Sequence, residues 1–145
     1  MAVKPIPDGY HSITPYMIVE GAGALIEFMK NAFGATLVFR TDAPDGTIRH
    51  AEIKIGDSMV MMADAGPSYP AKPACYYMYV PDVDAVYAQA VEAGGVSLSE
   101  PTDQPYGDRS AGITDPSGNT WWIGTHIKDV SEEEIQQMAD AQSAG

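Results

Sequence analysis

The chain repeats itself, and that repetition constrains its fold more than any single motif does. Residues 13–20 (ITPYMIVE) are rich in β-formers and read as a strand, with Pro15 placing it at a sheet edge or junction. The period then changes over 22–33, where Leu25, Phe28 or Met29, and Ala32 or Phe33 recur at helical spacing before Gly34 supplies a left-handed stop. Strands follow at 35–41, 47–55 and 58–63, separated by the turns Ala43-Pro44-Asp45-Gly46 and Gly56-Asp57. After residue 74 the succession begins again. Residues 75–80 (CYYMYV) form a strand, and Asp82 caps a helix carried by Val83, Val86 or Tyr87, and Ala90 or Val91. That helix stops at Gly94-Gly95, and strands at 96–99, roughly 106–113 and 119–126 complete the second copy. Val19 with Val80, Gly34 with Gly94 and Ser58 with Asn119 are offset by 61, 60 and 61 residues. The expected fold is therefore α+β: two βαβββ modules, about 11–64 and 74–127, in one domain spanning 1–145. Each helix covers one face of its sheet, and the two uncovered faces are expected to curve around a shared cleft.

Prolines 67, 70 and 73 make residues 65–73 a linker between modules. Beyond the second module, Ser131 with Glu134 forms a capping box, and Ile135, Met138 and Ala139 give a short C-terminal helix over about 131–141. No apolar run reaches the roughly 18–20 residues a membrane crossing needs. The first ten residues show no apolar signal core, and the lone Cys75 has no disulfide partner, so a cytoplasmic protein is expected. The formal charge of −12 comes without any cluster of Lys and Arg, which excludes the usual footprint of a nucleic-acid binder and disfavours anionic membranes. Such a charge keeps a protein soluble and attracts cationic ligands.

The paired modules, IEFMKNAFGA at 26–35, VDAVYAQAVEAGG at 83–95 and ITDPSGNTWWI at 113–123 resemble the vicinal oxygen chelate superfamily. That superfamily includes glyoxalase I, fosfomycin-resistance proteins, extradiol dioxygenases and bleomycin-resistance proteins. HSITPYMIV, HAEIKIGDSMVMMADA and YGDRSAGITDPSGNTWWI look most like its glyoxalase-like and bleomycin-resistance-like bacterial members. The resemblance implies a divalent metal held by His and Glu at four inward-facing strand positions. In this chain those positions fall on Thr14, Met61 (or Met62), Cys75 and Trp122, none of them His or a carboxylate. A threonine hydroxyl and one thiol do not make the converging ligand set that such an ion requires. No cofactor is expected there.

Alternation supplies other candidates. Ala51, Ile53 and Ile55 belong to the helix-covered face, so His50 and Glu52 face the cleft, as does His126 on the last strand. These three are the candidates for a substitute metal site; otherwise His50 and Glu52 are a polar pair at the cleft rim. Cys75, Tyr77 and Tyr79 share one parity, Trp122 shares another with Gly124 and His126, and Met59 lies with Met61. Arg109 either grips an anionic group or pins a loop by pairing with a carboxylate. The expected function is binding of a small aromatic or cationic molecule, with Thr14, Met61, Cys75, Tyr77, Tyr79, Arg109 and Trp122 as contacts, in the manner of antibiotic sequestration. The alternative is a glyoxalase, lyase or dioxygenase-type enzyme using His50 and Glu52, with or without metal. By resemblance, a homodimer is expected.

Overall fold

A computed structural model describes residues 2–144. The elements are β1 (Tyr16–Val19), α1 (Ala22–Phe33), β2 (Thr36–Asp42), β3 (Ile48–Ile55), β4 (Ser58–Asp64), β5 (Cys75–Tyr79), α2 (Val83–Glu92), β6 (Val96–Asp103), β7 (Asp108–Thr114), β8 (Thr120–His126) and α3 (Glu132–Ala144). They form two four-stranded sheets of identical order, β1-β4-β3-β2 and β5-β8-β7-β6. In each, the first strand runs parallel to the last and the other pairings are antiparallel. The fold is the expected α+β arrangement of two βαβββ modules.

The start of each helix shows how the duplicated scaffold is held. Gly21, at φ 73°, turns the chain into α1 but has no side chain to cap it. Asp64, at the end of β4, supplies the missing acceptor: Oδ1 takes the Ala22 amide at 2.8 Å and Oδ2 the Ile48 amide at 2.7 Å. Thr125 occupies the matching place on β8, and its Oγ1 accepts from the Val83 amide at 2.9 Å. Asp82 adds a cap of its own, accepting from the Ala85 amide at 3.2 Å. Gly34 ends α1 at φ 66°, a left-handed position that a side chain would strain.

One continuous core serves both modules. Leu25, Ile26, Phe28 and Met29 of α1, Ala51 and Ile53 of β3, Val83 and Ala90 of α2, and Ala111, Ile113, Trp121 and Ile123 of β7 and β8 are all buried in it. Each large aliphatic residue so buried stabilises the fold by about 1.5–3 kcal/mol. The modules meet through α1 and α2 and the helix-bearing sides of the sheets. Phe33 packs on Trp121 at 5.0 Å between ring centroids, and Gln89 donates to the Asn31 carbonyl at 2.7 Å. The two uncovered sheet faces lie on the far sides from this core, so they do not close the single shared cleft expected from the sequence, and Tyr16, Phe39, Tyr77 and Tyr79 stand exposed there.

Boundaries differ from the sequence reading in three places. β1 begins only at Tyr16: Pro15 has no amide to donate, and its carbonyl accepts from Met61 at 2.9 Å. Thr14 therefore lies before the strand. β6 continues to Asp103 through Pro101, which an edge strand tolerates, with register irregularities between Ser97 and Ser99 and between Ser99 and Thr102. The connection to β7 is consequently a tight turn, closed by the Gly107 amide on the Gln104 carbonyl at 3.2 Å. Helix α3 extends to Ala144, and its Ser131 cap accepts from the Glu134 amide at 3.1 Å. Among the described residues no helix is long and apolar enough to cross a membrane.

Candidate binding face

The uncovered face of the second sheet is built from side chains of alternate residues on β5, β8 and β7. Register sets Tyr77 beside Trp122 and Tyr79 beside Gly124, then Gly112 beside Trp122, Ser110 beside Gly124 and Asp108 beside His126. The two glycines decide what this face looks like. A Cβ on Gly112 would overlap the six-membered ring of Trp122, and one on Gly124 would overlap Tyr77. Without those atoms the indole and phenol rings lie down across the strands, the aromatic-over-glycine device that also pins register. A shallow cavity of about 320 Å³ opens above them, lined by Tyr77, Gln104, Tyr106, Ser110 and Trp122. Trp121 points the other way, packed on Tyr76 and Phe33, with its indole N–H donating to Asp115 Oδ2 at 2.8 Å.

Beneath the aromatic residues sits a buried carboxylate. Asp108 is 3% exposed, and its Oδ2 accepts from both Tyr77 and Tyr79 hydroxyls at 2.8 Å. Its Oδ1 is 2.9 Å from His126 Nδ1, while His126 Nε2 is 2.7 Å from Asp129 Oδ1. Burial alone would push the Asp108 carboxyl upward, but the bonds from His126, Tyr77 and Tyr79 together outweigh it and hold it below the usual carboxylate range. His126, bonded to Asp129 and Asp108, is raised above the ordinary imidazole value. Burial and the bond to Asp108 push the Tyr77 phenol well upward, and the bond to Asp108 raises Tyr79 as well.

The uncovered face of the first sheet carries a different set. The Tyr16 hydroxyl lies 3.0 Å from His50 Nδ1, and His50 Nε2 lies 3.2 Å from Glu52 Oε2. Phe39 flanks the imidazole at 6.3 Å, and Met61 lies between Tyr16 and Glu52 in register. The His50 tautomer sets which way the bond to Tyr16 runs.

The structure gathers some of the anticipated residues and disperses others. Tyr77, Tyr79 and Trp122 form one surface, and His50 and Glu52 pair on another. His126 does not join His50 and Glu52; it bonds instead to Asp108 and Asp129. Arg109 lies on the helix side, its Nε and Nη2 on Asp84 at 2.8 and 2.9 Å and its Nη1 on Asp103 at 3.0 Å. It thus pins α2 and the end of β6 rather than facing the cleft. Cys75 is exposed at the first residue of β5. Sequence reasoning missed Asp108 as a hub; parity along β7, which puts 108 with 110 and 112, could have placed it on this face. It also missed Tyr16. Among the described residues no three His, Cys, Asp or Glu side chains converge as metal ligands would, and the donor set does not fit the metal implied by the superfamily.

A second cavity, about 650 Å³, lies at the seam between modules, along the outer edge of β5, with Phe33, Val86 and Trp121 in its wall. Tyr77 borders both cavities, while Trp122 lines only the smaller one.

Comparison with known proteins agrees with this architecture. The chain is 31% identical over 145 residues to an uncharacterised protein of Mycobacterium tuberculosis, covering 92% of this chain and 85% of that one. Its structure is similar to TioX from Micromonospora sp. ML1, with a TM-score of 0.66 and 25% identity over 80% of this chain and 100% of TioX. It is also similar to TnmS3, an antibiotic binding protein from Streptomyces sp. CB03234, with a TM-score of 0.64 and 22% identity over 87% of this chain and 98% of TnmS3. Residues 10–123 match the family model that spans both modules, and the chain belongs to the Glyoxalase/Bleomycin resistance protein/Dioxygenase superfamily.

Proposed function

We propose that this protein is a binding protein, holding a planar, π-rich and preferably cationic small molecule against the aromatic face of its second module. The observation that carries this reading is the pair of glycines, Gly112 and Gly124, over which Trp122 and Tyr77 lie flat beside an open cavity. Flat rings with polar tips stack on planar ligands and attract cations, and the −12 charge adds a favourable field for the latter. The same fold in TnmS3 serves an antibiotic binding protein, and sequestration is the corresponding role here. Because each uncovered face lies outside the shared core, a second copy of the chain would supply the opposite wall, and the working form is a homodimer. The reading requires no metal, and the unpaired Cys75 suits a cytoplasmic location.

Titration with aromatic cations, bleomycin among them, should quench tryptophan fluorescence saturably. Trp122→Phe should remove most of that quenching and Trp121→Phe should not. Trp122→Ala should weaken binding by about 1–2 kcal/mol, the scale of a stacking or cation–π contact. Light scattering should report a dimer, and elemental analysis no stoichiometric Zn, Ni, Mn or Fe.

The continuous chain Tyr16–His50–Glu52 supports a second reading, an enzyme with His50 as general base. Turnover of a dicarbonyl–thiol adduct that disappears in His50→Ala, with no response to aromatic cations, would establish that reading over binding.

A further inference from the structure

The direction of the hydrogen bonds on the uncovered faces specifies the ligand further. An ionised carboxylate only accepts, so the Tyr77 and Tyr79 hydroxyls, both 2.8 Å from Asp108 Oδ2, must give their protons to it. His126 cannot reverse this, because it lies on the other oxygen, Oδ1, and is itself held by Asp129. What each phenol keeps for a ligand is an oxygen lone pair. The two tyrosines of the second sheet, normally able to donate or accept, are thus fixed in one sense.

We infer that the aromatic face of the second sheet selects ligands that present hydrogen-bond donors: an aromatic amine, amidine or phenol in preference to an equally flat, equally charged molecule without N–H or O–H. The inference rests on the binding reading above and adds a polarity to it. Groups that could oppose it are few. Ser110, Gln104 and Tyr106 beside the cavity can donate or accept and so take either kind of ligand, and the indole N–H of Trp122 in the same lining is a donor. Lys54, a fixed donor, is exposed at the end of β3, in register with Met59. Glu52 is a further acceptor. A ligand bearing only acceptors would meet the two phenol oxygens lone pair to lone pair and could pair only with the remaining donors of the lining.

Two planar cations test this. 9-Aminoacridinium carries N–H donors, whereas 10-methylacridinium has the same ring system and charge with none. Fluorescence anisotropy of each against the intact protein should give 9-aminoacridinium a tighter Kd, by roughly threefold to tenfold for each bond made. Tyr79→Phe and Tyr77→Phe each keep the ring, remove one phenol acceptor and leave the other phenol on Asp108; each should shrink that ratio toward one, and because the ratio is read within each variant, any change common to both dyes cancels. Thermal melts of both variants confirm that they are folded. Saturable binding of both dyes with equal Kd, or a ratio that survives both substitutions, overturns the inference and leaves aromatic binding standing. Binding of neither dye removes the binding reading together with the inference.

Discussion

The two modules share a backbone plan, and comparing them position by position separates what the fold needs from what the site needs. Register aligns Tyr16 with Tyr77, Glu52 with Gly112, Met61 with Trp122, Ala63 with Gly124 and Asp64 with Thr125. At the last pair the residue differs and the task is kept, since both side chains accept the first amide of their helix. On the uncovered face the task itself has changed. The first module has side chains at 52 and 63, and there Tyr16 reaches His50. The second has glycines at 112 and 124, and Trp122 and Tyr77 fall across them. Helix starts thus fix the scaffold with interchangeable chemistry, while the presence or absence of one Cβ decides whether a sheet face is a polar chain or an aromatic floor.

The sharpest asymmetry outside the cleft faces is in the turns before the last strand of each module. Asp115, 4% exposed, accepts from the Ser117 and Asn119 amides, from the Asn119 side chain and from Trp121 Nε1. Asp57, in the Gly56-Asp57 turn of the first module, is exposed, with one long contact of 3.3 Å from Ser58. Asp115→Ala should therefore destabilise the protein by about 3 kcal/mol in urea unfolding, and Asp57→Ala by less than about 0.5 kcal/mol. Equal losses would show that the two turns are not the unlike structures their hydrogen bonds describe. A smaller contrast is expected at the helix starts. Asp64 serves two amides with a charge and Thr125 serves one amide without, so Asp64→Ala should cost about 2 kcal/mol and Thr125→Ala about 1 kcal/mol.

This comparison also shows what could be read before the structure. The duplication, the helix stops and the Asp115–Gly118 turn were legible because glycine, proline and capping residues act locally, within a few positions of where they stand. The orientation of Trp122 and the opposite burial of Trp121 followed from alternation alone. The Asp108 network was not legible: it joins β5, β7, β8 and Asp129, and each of its bonds spans 18 or more residues except the one between His126 and Asp129. Nor did alternation give the outcome at Arg109. It was expected among the ligand contacts, with loop-pinning as the alternative, and tertiary packing brought Asp84 of α2 within 2.8 Å. Thr14 was misplaced because the strand was extended back through a proline whose missing amide in fact delays it.

If the missing Cβ atoms make the aromatic floor, restoring one should damage binding before stability. Gly112→Ala has no positive φ to violate, so the substitution acts by pushing the Trp122 ring off its strand. Affinity for an aromatic cation should fall on the order of tenfold, about 1.4 kcal/mol, measured by the same fluorescence quenching. Undiminished binding would mean that the flat indole is not the contact surface and would dissolve the distinction between the two faces.

The smallest expected effect concerns pH, and it distinguishes the two histidine sites. Both His126 nitrogens face carboxylates that only accept, so both must carry protons and the ring is an imidazolium. Its pKa is raised by Asp129 and Asp108, and the stability it contributes is complete below the unfolded value of about 6.5 and lost as pH rises through the higher folded value. Asp108 works in the opposite sense. Its folded pKa is lowered, so its contribution is present above the unfolded value of about 3.9 and lost as pH falls through the folded one. The pair contributes in full only between about pH 4 and pH 6.5. Tyr77 and Tyr79 are raised and stay protonated throughout that range, so they add no slope there. Unfolding free energy measured in urea from pH 4 to pH 9 should decline on the alkaline side, and His126→Gln should flatten that decline. His50→Gln, which touches a face with one carboxylate and a tyrosine, should leave the decline in place. A profile flattened by His50→Gln instead would transfer the charged histidine from the second module to the first.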